Sequence, residues 1–470
     1  MTENIAAEAM SKVTALRLFY VKNNIKRHVK TKSIIIASVI IAVAVIAVLI
    51  ISKFGFGNGF TVTYSADSKV AYRTYGTDSL QYTKDGVTYY NEAGTAIWND
   101  SYTMTSPIAV ERNDYTAIFE TGGRTVKMYN EEGFVYDVQT QDTILSVSVA
   151  ENGSIGVITN GTSYTVTVYS PSGNMLFQRV EAESGIYPLC CDVSPDGEII
   201  AISYIDTTGV EIKSKIGMFY INSDTGADYT DSMYGAVEKN DEIIFKMYFM
   251  GGNNLIAIGD RNITSISAAG VEESSVEVTN EIMGVGLCGN KIAMIYGEEL
   301  SDKEGELPGT IVFVSSGGKL STGDSAEVET DYFVCSDGGI VAGSGTAYYG
   351  FSSGGQLMWS VTTTGNITGI YPTSSINKCI YTTRTWSAMA NMNNFDPDSY
   401  DPYVATNIIT DDGQETENKT ENISGEENET ENENSTSDKN ISDEKKEETE
   451  KENNEKPQEQ TENNKNETQN

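Results

Sequence analysis

From residue 58 to about residue 395 the chain is written in short runs of alternating apolar and polar positions, punctuated by Gly, Asn and Asp. Tyr164-Thr-Val-Thr-Val-Tyr169 and Glu198-Ile-Ile-Ala-Ile-Ser-Tyr204 are typical. A period of two is that of a β-strand, whose successive side chains point to opposite faces. No convincing helical stretch interrupts the pattern. Short strands at regular spacing predict an all-β sandwich, barrel or propeller, and an internal repeat decides among them.

The repeat is a strand, a Gly-containing turn and another strand. It reads Tyr89-Tyr90-Asn91-Glu92-Ala93-Gly94, then Met128-Tyr129-Asn130-Glu131-Glu132-Gly133, and returns in Val168–Gly173 and Phe219–Gly226. Weaker copies end at Gly270, Gly318 and Gly355, and the seven glycines stand 39, 40, 53, 44, 48 and 37 residues apart. Four-stranded propeller blades recur at about 40–50 residues. A second turn, in Asn152-Gly153, Asp196-Gly197 and Asp337-Gly338-Gly339, marks an inner hairpin, since these dipeptides suit positive φ. Seven outer hairpins give seven blades. Ile367–Met392 reads as three further strands without a fourth, and Gly59-Phe-Thr-Val-Thr-Tyr-Ser65 is available to supply it. The expectation is a β-propeller of seven or eight four-stranded blades, with eight favoured and the first strand closing the ring.

The alternation does not extend to the ends. Residues Ile34 to Ile51 carry no charge and are all aliphatic except Ser38. A run of this length spans a bilayer, about 20 residues being needed. No small-residue cleavage site follows it, so it reads as a retained transmembrane helix over 33–52. Seven basic residues precede it and only Lys53 follows closely, which puts the N-terminus in the cytoplasm and the rest outside. Residues 1–32 form a basic head whose helical-spaced Met10, Val13, Leu16, Phe19 and Tyr20 read as a juxtamembrane helix orienting the span. From Asp411 to Asn470 the only large aliphatics are Ile423 and Ile441, and such a segment cannot offset the entropy of ordering. The division is therefore 1–32 head, 33–52 span, 53–410 extracytoplasmic propeller and 411–470 disordered acidic tail.

Charge narrows the partners. Of the formal −35, the tail carries −14 and the head +5, leaving the extracytoplasmic domain near −26. Such a domain repels phosphate backbones, so nucleic acid is excluded as a partner. The five cysteines (190, 191, 288, 335 and 379) are an odd number over a large domain and read as small buried hydrophobes. The one histidine, His28, lies in the head. The domain thus lacks the imidazole that Ser-His-Asp and Cys-His catalysis and His-ligated metals require. Glu272-Glu273 and Glu298-Glu299 read as solvated loop charge rather than a glycosidase pair. Asp396-Pro-Asp398-Ser-Tyr-Asp401 has calcium-like spacing but lacks the Gly and terminal Glu of an EF-hand loop, and reads as a turn. Neither a Walker loop nor a Rossmann fingerprint occurs.

Two outer hairpins end Gly-x-x-x-Trp, at Gly94–Trp98 and Gly355–Trp359. They resemble the tryptophan-docking motif of quinoprotein alcohol dehydrogenase-like propellers, in which the Trp packs one blade against the next. Other blades carry Asp137, Phe177, Thr230, Ser274 or Thr322 at that spacing. The whole layout also resembles an uncharacterised family of membrane-anchored propellers from Firmicutes. Enzymes of the quinoprotein group bind pyrroloquinoline quinone with calcium and a disulfide between adjacent cysteines, and Cys190-Cys191 matches such a pair. Strand alternation instead sends the two to opposite faces. No catalytic, cofactor-binding or metal residue is assigned and no cofactor is expected. The expected function is a non-catalytic binding or scaffold module at the cell surface, its partner a protein or a cell-wall polymer. The alternative is an extracytoplasmic enzyme, quinone-dependent or carboxylate-based.

Overall fold

The computed structural model describes residues 60–300, 304–365 and 367–403 and the short strands Ile408–Thr410 and Glu415–Thr416. The expected head and span and nearly all of the tail lie outside the described residues. Among the described residues no helix is long and apolar enough to cross a membrane.

The strands form eight sheets. Seven are four-stranded antiparallel meanders: residues 71–101, 108–139, 143–181, 186–240, 244–277, 280–325 and 332–362, numbered here as blades 1 to 7. The eighth takes Ile367–Ser375, Lys378–Thr383 and Trp386–Asn391 from the end of the domain and Thr61–Thr63 from its beginning. Thr61 pairs with Ala388 and Thr63 with Trp386, antiparallel. The fold is an eight-bladed β-propeller, and the first strand closes it. On the other side of that strand Ile408–Thr410 adds in parallel, and Glu415–Thr416 pairs beyond it.

Burial explains both the alternation and its lapses. The apolar residues fall into eight clusters, each shared by two consecutive blades; one joins Phe60, Val62, Ile380 and Met389 of blade 8 to Val70, Tyr72 and Tyr90 of blade 1. No blade has a core of its own. Second strands such as Ile199–Asp206 are buried on both faces and read as continuous apolar runs, whereas outermost strands such as Met175–Glu181 alternate.

Six of the seven repeat glycines lie in the connection between a blade's third and fourth strands, and Gly133 opens the fourth strand of blade 2. Six of the seven form docking points between blades, while Gly226 lies against Ser232 of its own blade. Gly94 has φ +80°, and a Cβ there would lie 2.0 Å from that of Phe60, the residue that leads into the closing strand. The Trp98 indole, stacked between Tyr89 and Tyr129 at 5.4 and 5.8 Å, sits over Gly133 of blade 2 and donates to the Glu131 carbonyl at 2.8 Å. Trp359 donates to the Ile376 carbonyl of blade 8 at 2.7 Å. Three positions differ from the sequence spacing. In blade 2 the docking residue is Tyr136, not Asp137: its ring lies against Gly173 of blade 3 and its hydroxyl donates to the Gly153 carbonyl at 2.8 Å. The reason is a shorter hairpin, in which Asn130 pairs directly with Gly133. In blade 4 the outer connection contains a helical turn, Ser223–Gly226, and a 3-10 turn, Thr230–Ser232, so Gly235 rather than Thr230 meets Gly270 of the next blade. In blade 6 the contact to Gly355 comes from Gly323, beside Thr322. Ser274, by contrast, meets Gly318 as spaced.

Candidate functional site

Antiparallel meanders give the ring two unlike faces. The glycine turns, inner and outer, share one, here the glycine face. On the other, the crossover face, the chain passes from the outermost strand of one blade to the innermost strand of the next. The innermost strands line the central channel.

At the glycine face the channel opens into a recess of about 300 Å3, to which every blade except blade 4 contributes. Its charged lining is Glu111 and Arg112 at the end of blade 2's innermost strand, with Glu151 and Asp337 from the inner turns of blades 3 and 7. Arg112 is 8% exposed; its guanidinium reaches over to blade 5, donating to the Phe249 carbonyl, and pairs with Glu151 at 3.2 Å. Asp192 of blade 4, 4% exposed, accepts from the Phe249 N–H at 2.7 Å. The Phe249 peptide is thus held at both ends, and the clasp ties blades 2, 4 and 5 through the channel. Nearby, Arg73 of blade 1 donates to the Ala109 carbonyl at 2.7 Å and stands 3.7 Å from Glu111.

Burial governs the ionisation of these groups. It raises the Glu111 carboxyl, with Arg73 drawing it back. It pushes Asp192 up to about 6 against the opposing pull of Arg112 and the Phe249 N–H. A carboxyl whose folded pKa exceeds its unfolded value favours folding fully at acid pH, and this contribution is lost as pH rises through the folded pKa. On going from about pH 7 to pH 5, wild type is expected to gain about 1 kcal/mol more stability than Asp192→Asn. Denaturant titrations of both proteins at the two pH values check this; equal pH responses would show that Asp192 does not titrate there.

The sequence matches the family of unknown function DUF5711 over residues 58–388. The chain belongs to that family. The match begins just ahead of Phe60, so the DUF5711 unit takes in the closing strand. No curated protein matches the chain. Among solved structures it is similar to Sqt1 from Chaetomium thermophilum (10% identity, 71% of this chain and 98% of that one, TM-score 0.46). It is also similar to BamB from Moraxella catarrhalis (12%, 71% and 99%, 0.41) and to a Dos1 propeller (11%, 73% and 97%, 0.44). Identities this low bear on the fold alone.

In this DUF5711 propeller Cys190 and Cys191 are unbonded and lie in different cores, Cys190 between blades 4 and 5 and Cys191 between blades 3 and 4. Burial pushes the Cys191 thiol up to about 12, and raises those of Cys190 and Cys335. Such thiols stay protonated and are poor nucleophiles. Among the described residues no group of three or more His, Cys, Asp or Glu is placed to hold a metal ion. In the Asp396–Asp401 segment, Asp398 accepts from the Thr363 hydroxyl and the Thr364 N–H, while Asp401 accepts from the Tyr403 N–H. These carboxylates bind their own backbone and a neighbouring loop. The Arg112–Phe249–Asp192 clasp was beyond sequence reasoning, since its members are 57 to 137 residues apart. The available signal was charge at the ends of innermost strands, just before an inner turn.

Proposed function

We propose that this DUF5711 propeller is a membrane-anchored, extracytoplasmic binding or scaffold module that performs no catalysis, with a protein or a cell-wall polymer as its partner. The observation that carries the reading is the engagement of the channel's reactive side chains. Arg112 and Asp192 hold a peptide of the ring, and the thiols are pushed toward their protonated form by burial. What the ring offers instead is two broad loop faces on a stiff frame, the usual arrangement for binding. The docked Trp98 and Trp359 favour grouping it by architecture with the quinoprotein-like propellers, and the layout with membrane-anchored Firmicutes proteins.

Anchoring rests on the uncharged run 34–51 and the basic residues before it. The chain enters the domain at Phe60 on the glycine face. Protease added to intact cells lacking a wall is expected to digest the domain or the tail. Complete protection of both would overturn the orientation. The purified full chain is expected to show no quinone absorbance, and a stoichiometric visible band would overturn the non-catalytic reading.

A further inference from the structure

The crossover face carries a feature repeated from blade to blade. In blades 3, 4, 5, 6 and 8 the pairing of the innermost strand with the second skips one residue near the start of the innermost strand. The skipped residues are Leu145, Leu189, Phe245, Met283 and Thr368, and in blade 6 a second irregularity also skips Glu281. A β-bulge of this kind bends the strand and re-aims the side chain of the extra residue. In four consecutive blades that residue is apolar, and Leu145, Leu189 and Met283 are 37%, 39% and 41% exposed. A bulge used only to curve the sheet has no need of a large apolar residue turned to solvent. The four apolar bulges form a crescent around the channel's crossover mouth. It includes a groove of about 850 Å3 between blades 5 and 6, where Phe245, Ile282 and Met283 are lined by Asp260, Glu277 and Glu281. The one basic residue lining it among the described residues, Arg261, is paired with Asp241 at 3.0 Å.

We propose that this bulge-built crescent docks a cationic amphipathic segment of a partner polypeptide, its apolar side chains on Leu145, Leu189, Phe245 and Met283 and its Lys or Arg side chains on the carboxylate rim. An apolar centre inside a polar rim is the anatomy of a protein interface. The sign of the rim selects the occupant. Anionic bilayers, anionic polymers and a second copy of this acidic chain are all repelled, whereas a basic polypeptide is attracted and its encounter accelerated. This deepens the reading of the domain as a binding module and rests on it.

The test uses the full chain in neutral-lipid nanodiscs and a fluorescent amphipathic peptide of Leu and Lys as probe. Wild type is expected to bind it with salt-sensitive affinity and to ignore a Leu/Glu peptide. The triple variant Leu145→Ser, Leu189→Ser and Met283→Ser should weaken binding at least about tenfold, or 1.4 kcal/mol, and leave the melting temperature unchanged. Met175→Ser with Leu176→Ser, exposed on the outer edge of blade 3, should bind as wild type. Should the triple variant itself melt early, Glu281→Gln must weaken the peptide by itself. Equal binding by wild type, the triple variant and the Gln variant overturns the proposal. So does preference for anionic vesicles, or a self-association that the triple variant abolishes. If cell-wall polymer binds wild type and triple variant alike while the Leu/Lys peptide binds neither, this surface is wrong and the binding-module reading stands.

Discussion

Val62→Asp is expected to abolish the single cooperative unfolding transition of the domain. Val62 is fully buried in the core between blades 8 and 1, in the middle of the closing strand and opposite Ser387. A carboxylate there has no cation within the cluster, and burying one unpaired costs several kcal/mol, a large share of the roughly 5–15 kcal/mol that holds a domain folded. The site also lies at the junction where the ring is fastened by residues from opposite ends of the described domain. Its loss removes Phe60 from Gly94 and leaves Trp386–Asn391 as an unpaired, aggregation-prone edge. Deleting 58–66 should therefore match the substitution, and exposed Asp67→Asn should leave unfolding unchanged. Circular dichroism during thermal and denaturant unfolding reads the difference. A sharp wild-type-like transition in the deletion variant would mean that seven blades hold the ring without closure.

Arg112→Met is expected to cost about 1–3 kcal/mol, because it leaves the buried Phe249 carbonyl without its charged donor. Asp192 keeps its bond to the Phe249 N–H and loses the nearby guanidinium that eases its burial. The loss should shrink at acid pH, where Asp192 takes up a proton. Adding Asp192→Asn should restore part of it, so the two substitutions together should cost less than the sum of each alone. Additive costs in a double-mutant cycle of denaturant midpoints would show that the two side chains act independently.

Much of the architecture was legible because it rests on local chemistry. Most repeat glycines occupy an outer turn where a side chain would be strained or would strike a neighbour, so blades can be counted from them. Closure was legible because Phe60, Val62 and Tyr64 alternate like a strand yet have no partner nearby in sequence. Cys190 and Cys191 separate into two cores as strand alternation requires. What stayed hidden depends on register or on distance. Tyr136 replaces Asp137 because one hairpin is shorter, and hairpin length is poorly marked when the turn residues, Glu131 and Glu132, are ordinary. The bulges at Leu145, Leu189 and Met283 each add one residue without changing local composition. The channel clasp joins three blades through a peptide, and no pattern of spacing encodes which carbonyl an arginine will reach.

The closing strand also sets where the domain will yield to force. A pull on the chain ahead of residue 60 reaches the ring through Thr61–Thr63 before any other strand. Hydrogen bonds stand perpendicular to that strand, linking it to Trp386–Asn391 on one side and to Ile408–Thr410 on the other. Tension along its axis therefore loads these bonds together in shear instead of peeling them singly. The strand is a mechanical fuse: it resists up to a threshold, and when it slips blades 8 and 1 keep only their direct inner contacts, such as Thr74 to the Pro372 carbonyl, while blades 1 to 7 remain joined by the cores they share.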